Sequence, residues 1–137
     1  MPSRFSCDGH NVSPPLAWDG LPSGTQSLAI ICTSRTSVGS TWVHWLVYDM
    51  PSSATGLPEA APSMNGLPQG SANGKNGWGR NDYGGPCPAA GERRCHFCLY
   101  ALDTTLDLPE GASRSKVLRA MRGHVLAEAE LVGRYSR

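Results

Sequence analysis

The chain has 137 residues, of which 39% are hydrophobic, and carries a formal charge of +1 from 12 basic and 11 acidic side chains. That length suits one domain with a single core, no apolar run nears the roughly 20 residues that cross a bilayer, and the balanced charge excludes the basic excess of a nucleic-acid binder. The 16 glycines and 11 prolines call for many turns and favour strands over long helices.

Met1 to Cys7 carry a charge with no apolar stretch after it, so they read as neither a signal peptide nor a transit segment, and a cytoplasmic location is expected. Residues 27–33 (Ser-Leu-Ala-Ile-Ile-Cys-Thr) are short and apolar, as a strand covered on both faces requires. Residues 42–48 (Trp-Val-His-Trp-Leu-Val-Tyr) are aromatic and β-branched, end before Pro51, and by alternation place Trp42, His44, Leu46 and Tyr48 on one face. A third strand is predicted over 94–102, and these three should form the centre of a sheet. Between the second and third lies a stretch from Pro51 to Gly91, dense in Gly, Pro, Asn and Ser. Its later part, 76–88, mixes aromatic anchors with glycines that let a backbone approach a ligand, and it reads as functional.

Near the C-terminus Ser113 is a candidate N-cap for a helix with Val117, Leu118 and Met121 on one face, stopped by Gly123. Residues 125–132 alternate as a closing strand with Glu128 and Glu130 facing water. Strands, then helix, then strand predict a mainly β, α+β fold in one domain over 1–137.

Five cysteines, Cys7, Cys32, Cys87, Cys95 and Cys98, fit no paired C-x-x-C zinc framework, and an odd count leaves at least one free thiol in a monomer. In a strand Cys95 points one way while His96 and Cys98 point the other, which argues for ordinary buried thiols and no metal. No cofactor is implied.

Several blocks in this order carry a resemblance. They are Phe5-Ser6-Cys7-Asp8-Gly9-His10-Asn11-Val12-Ser13-Pro14-Pro15-Leu16-Ala17-Trp18, Leu21-Pro22-Ser23-Gly24-Thr25, Trp42-Val43-His44-Trp45, Gly79-Arg80-Asn81-Asp82 with Tyr83-Gly84-Gly85-Pro86-Cys87-Pro88, and Gly123-His124-Val125-Leu126-Ala127-Glu128-Ala129-Glu130-Leu131. Together they make the chain resemble the bacterial and archaeal branch of the phosphatidylethanolamine-binding proteins, also called Raf-kinase-inhibitor-like proteins. The resemblance implies a large antiparallel sheet packed on a smaller one, a C-terminal helix, and a surface pocket for phosphate, acetate or a phospholipid head group.

Three departures accompany it. Relatives carry about a strand's length of chain before the first block, so either the start is trimmed or an edge strand is absent, and in the second case an open sheet edge and a homodimer are expectations. The family's Asp-Pro-Asp-x-Pro pocket motif aligns with Thr33-Ser34-Arg35-Thr36-Ser37, and its His-Arg-Tyr motif with Arg93-Arg94-Cys95. His44 is the main pocket side chain that survives. The ligand set so implied is Thr33, Arg35, Trp42, His44, Tyr83, Gly85, Cys87, Pro88 and Arg93. Arg35 reads equally as a solvated loop side chain, and Cys95 as a small buried hydrophobe. Trp42 and Tyr83 are assigned to the pocket wall, and Trp78 is not. Cys7 and Cys87 lie in family blocks that can approach one another.

Two functions compete at this level. One is a module that holds a small anionic or phospholipid-like ligand. The other is a repurposed, cofactor-independent enzyme, a cyclase or isomerase of a small molecule, with His44, Arg93 and Cys95 as catalytic candidates. A kinase or protease inhibitor is a third reading, borrowed from distant relatives alone.

Overall fold

Residues 28–32 are apolar without interruption, and this run becomes a strand with cover on both sides. The computed structural model describes residues 1–36, 39–62, 66–87 and 92–136. After a 3-10 turn at Ser3–Phe5 the order is β1 (Leu16–Ala17), β2 (Ser27–Arg35), β3 (Thr41–Pro51), β4 (Gly56–Leu57), β5 (Ala72–Asn73), β6 (Glu92–Leu102), α1 (Arg114–Met121) and β7 (Val125–Ser136). Five strands form an antiparallel sheet in the order β5-β3-β2-β6-β7, and β1 pairs with β4 in a second, two-stranded sheet. The three strands read from sequence are its centre.

Side chains leave the main sheet to two cores. Leu28, Ile30, Cys32, Trp45, Val47 and Phe97 pack towards the small sheet, through Leu57 and the half-buried Leu16. Ala29, Ile31, Leu46, Tyr48 and Leu102 pack on the other side against Val117 and Met121 of α1. Fully burying a side chain such as Leu28 or Val47 contributes about 1.5–3 kcal/mol, which makes these layers the main source of cohesion. Ser113 caps α1, its Oγ accepting from Lys116 N at 3.3 Å, and Gly123 follows the helix at φ +81°. Val117 and Met121 are buried, while Leu118 packs at the margin.

β3 departs from the simple alternation. Cys32 pairs with Trp45 but Thr33 pairs with Val43, so His44 is an extra residue, a β-bulge. A second register shift lies between Leu28 and Ile30, opposite Asp49, whose φ is +57°. The expected shared face of Trp42, His44, Leu46 and Tyr48 is therefore split. Leu46 and Tyr48 enter the α1 core, while His44 turns to the side of Ser34. β7 runs four residues past the predicted strand, with Glu128 and Glu130 exposed as expected.

Candidate functional site

The site sits where β2, β3 and β6 meet the loop 76–87, which is laced onto β3. Gly74 N donates to Leu46 O at 2.8 Å, Gly77 N to Val43 O at 2.9 Å and Gly84 N to His44 O at 3.0 Å. His44 lies at the centre and is 1% exposed. Its Nδ1 is 2.7 Å from Gly84 O and its Nε2 is 2.7 Å from Ser34 Oγ. A carbonyl oxygen can only accept, so Nδ1 carries the hydrogen; in the neutral ring Nε2 then accepts from the Ser34 hydroxyl. Both ring nitrogens are thus occupied, and the tautomer is dictated by these partners.

Trp78 faces the imidazole as its roof, and Trp42 packs against Trp78. Trp42 and Trp78 meet edge to face at 5.3 Å between centroids, and Trp78 lies 5.8 Å from the His44 ring. Trp78 is itself 44% exposed, and the Arg80 guanidinium stacks over it at 5.8 Å. Asn76 builds this roof. Its Oδ1 accepts from Trp78 N at 3.0 Å and Arg80 N at 3.1 Å, while its Nδ2 donates to Asp82 O at 2.9 Å and to Asp82 Oδ1 at 3.0 Å. Glycines let the aromatic rings come close: a Cβ on Gly77 would lie 2.4 Å from Trp42, and one on Gly84 2.2 Å from Trp78.

Beneath His44 lie two fully buried thiols, Cys32 and Cys95. The Cys32 thiol donates to Cys95, and that bond, with His44 and the Arg93 charge, outweighs burial and brings the Cys95 thiol down to about 5. Cys32 moves the other way, pushed up chiefly by burial.

The segment 83–87 is fastened to the N-terminal residues. Cys7 and Cys87 form a disulfide, Tyr83 Oη donates to Phe5 O at 2.6 Å, Gly85 N donates to Asn11 Oδ1 at 2.7 Å, and Cys7 N donates to Pro86 O at 3.2 Å. A Cβ on Gly85 would sit 2.0 Å from Phe5 O, so only glycine permits this approach. Tyr135 of β7, paired with Arg93, donates its hydroxyl to Asp8.

The structure brings together His44, Arg93, Cys95 and Trp42 of the candidates read from sequence. Thr33 pairs with Val43 and His96 and so alternates to the opposite face from Ser34. Arg35 is exposed and donates to Gly39 O at 2.9 Å within its own hairpin. The Tyr83 ring is buried edge-on to Trp45 and packs with the core that holds the thiols, where burial holds its hydroxyl pKa far up. Gly85 contributes backbone, Cys87 is consumed in the disulfide, and Pro88 lies outside the described residues. Sequence reasoning missed Ser34, Cys32, Asn76 and Trp78. Strand phase was the available signal for Ser34, which is two residues from Cys32 in the very segment aligned with the pocket motif.

An apolar hollow of about 270 Å³ lies under β1, lined by Leu16, Trp18, Ile30, Phe97, Leu99 and Leu131 among others, and does not include His44. Among the described residues no His, Cys, Asp and Glu group is arranged to hold a metal ion, and no helix is long and apolar enough to cross a membrane.

The comparisons with known proteins agree with this architecture. A family model described as phosphatidylethanolamine-binding protein matches residues 1–136. The UPF0098 protein of Methanothermobacter thermautotrophicus is 51% identical over 137 residues, taking in 100% of this chain and 91% of the relative. The UPF0098 protein PH1269 of Pyrococcus horikoshii is 40% identical over 141 residues, covering 100% of this chain and 71% of the relative. Among solved structures, the phosphatidylethanolamine-binding protein homologue CT736 from Chlamydia trachomatis superposes with a TM-score of 0.89 at 33% identity, covering 100% of this chain and 89% of that one. Escherichia coli YbcL, described as a new member of the mammalian family, gives 0.86 at 31% identity, covering 97% and 85%. With the family model spanning the two sheets, the His44 bulge and the closing strand alike, the chain belongs to the phosphatidylethanolamine-binding protein family.

Proposed function

We propose that this chain binds a small anionic or phospholipid-like organic ligand at the His44 site. The observation that carries the reading is the pairing of Ser34 with His44: a hydroxyl 2.7 Å from Nε2 stands where an anion's oxygen would be received. Arg93, half-buried and close enough for its charge to act on Cys95, supplies the nearby cation that an anion requires. Entry then needs Ser34 to turn aside and the half-exposed Trp78 to move, while Gly84 keeps Nδ1 engaged. A phosphate or carboxylate accepts from protonated Nε2 in place of the serine.

The test is a titration with inorganic phosphate, acetate and phosphoethanolamine, followed through the His44 ring resonances. Saturable shifts at millimolar concentration or below support the reading. Absence of any shift with all three overturns it.

A second reading, a cofactor-independent enzyme acting on a small molecule, is favoured by one observation. Cys95 stands beside His44 and Arg93 in an environment that stabilises its thiolate. Labelling with a small thiol reagent, with and without phosphate, tests it. Failure of Cys95 to react in the folded protein removes the nucleophile from that reading.

A further inference from the structure

The N-terminal stretch 1–11 holds its place with little help from packing. Ser6 is its one buried residue, and its lone regular element is the three-residue turn Ser3–Phe5. Several of its anchors lead away from the site. The Met1 amino group donates to Arg134 O at 2.6 Å, Arg4 pairs with the exposed Glu59, and Asp8 accepts from Tyr135. Towards the site run the disulfide Cys7–Cys87, which is the covalent link, and hydrogen bonds from Tyr83, Gly85 and Cys7. Three residues before Cys87 stands Gly84, whose carbonyl fixes His44 Nδ1 and whose N–H is tied to the His44 carbonyl. The bond between two sulfurs is thus the covalent part of what holds the histidine's second partner in place.

We infer that the Cys7–Cys87 disulfide is a redox-operated clamp on the His44 site, and that its two-electron reduction loosens residues 83–87 and frees His44 from Gly84. The inference rests on the ligand-site reading for its purpose, since the Gly84 carbonyl holds the ring that would present Nε2 to an anion: the oxidised protein keeps that site preorganised and reduction loosens it. The chemistry is complete with a phosphine or dithiol as reductant. A phosphine attacks one sulfur, the S–S bond breaks, water supplies the oxygen of the phosphine oxide, and two thiols result. The other cysteines, Cys32, Cys95 and Cys98, are not in disulfides, so such a reductant acts on this bond.

The test follows deuterium exchange at the carbon between the two ring nitrogens of each histidine and at the backbone amides, by mass spectrometry, in the full chain before and after phosphine treatment. Alkylation of Cys7 and Cys87 verifies reduction. The expected result is about tenfold faster exchange at His44 in the reduced protein, with the backbone amides of the central strands β2 and β6 keeping their protection, as local opening without global unfolding requires. The C7S/C87S double variant should show the fast His44 rate without reductant. If that variant does not fold, the reduced wild-type protein carries the test alone. An unchanged His44 rate with both thiols alkylated overturns the clamp. Equal loss of amide protection in β2 and β6 also overturns it, because the disulfide is then a general staple. No ligand enters this experiment, so its outcome is independent of the phosphate titration: a clamp that opens on a site that binds nothing is distinguishable from a binding site without a clamp.

Discussion

Ser34 Oγ and His44 Nε2 lie 2.7 Å apart on neighbouring strands, buried together, with the Trp78 ring against the imidazole. The serine satisfies the histidine at the atom a ligand would use. Protein and ligand therefore compete for one nitrogen.

S34A separates the two roles. It leaves a buried imidazole nitrogen without its partner, which costs about 1–3 kcal/mol of stability. It also removes the group that an entering anion must displace. Urea denaturation should show a lower midpoint, and a phosphate titration should show tighter binding than in the wild type. Weaker binding by S34A means that the hydroxyl is itself a ligand contact.

Asn76 positions the roof without touching His44. N76A abolishes four hydrogen bonds from one buried side chain, two of them to the backbone of Trp78 and Arg80. The expected loss is about 2–3 kcal/mol, together with a shift of the tryptophan emission towards that of a solvated indole. An emission spectrum identical to wild type would show that Trp78 is held by Trp42 and Arg80 instead.

Glycine substitutions grade the loop. A methyl group at Gly85 meets the Phe5 backbone at 2.0 Å, whereas at Gly84 it meets the half-exposed Trp78 ring at 2.2 Å. Backbone cannot yield as a ring can. Thermal unfolding should therefore rank G85A below G84A, with G85A costing about 3 kcal/mol or more, at the upper end of overpacking.

Alkaline pH should unfold the chain in a window set by its tyrosines. Tyr83 and Tyr48 are raised chiefly by burial, and Tyr100, also by burial first, is pushed up to about 12. A raised folded pKa means that the fold retains protons the unfolded chain releases. The stabilisation is thus fully present below the unfolded value of 10.0 and falls as pH rises towards 12. Y83F should cost about 1 kcal/mol at neutral pH through the lost bond to Phe5 O, yet make the decline above pH 10 shallower. An unchanged slope in Y83F would place the alkaline sensitivity elsewhere.

Cys95 gives the opposite sign. Its pKa is lowered to about 5 from 9.0, so its thiolate band should be visible at neutral pH, fade as pH falls through about 5, and be missing at that pH range in C95S but present in C98S.

The strands were legible because their apolar runs are long relative to their turns. Residues 27–33, 42–48 and 94–102 each contain enough β-branched and aromatic residues to leave no competing period, and Ser113 and Gly123 punctuate the helix by backbone chemistry alone. The site was half legible. Motif alignment points to His44, Arg93 and Cys95, which lie near one another in the fold, and to Thr33 but not Ser34, because an alignment gives position and not the face of a strand. The bulge at His44 was invisible, since an extra residue leaves no mark on composition. Trp78 was set aside because its role depends on Asn76, whose four bonds are a property of the folded loop.

The extra residue at His44 also separates two kinds of mutational consequence. Residues Trp45 to Tyr48 keep one phase, fixed by two cores, while Trp42 and those before it keep another, fixed by the roof and the hairpin. A sequence can therefore drift at the pocket end of β3 and the facing end of β2 without moving a core side chain out of register. The same tolerance is what a designer would exploit to install a new specificity at the His44 end.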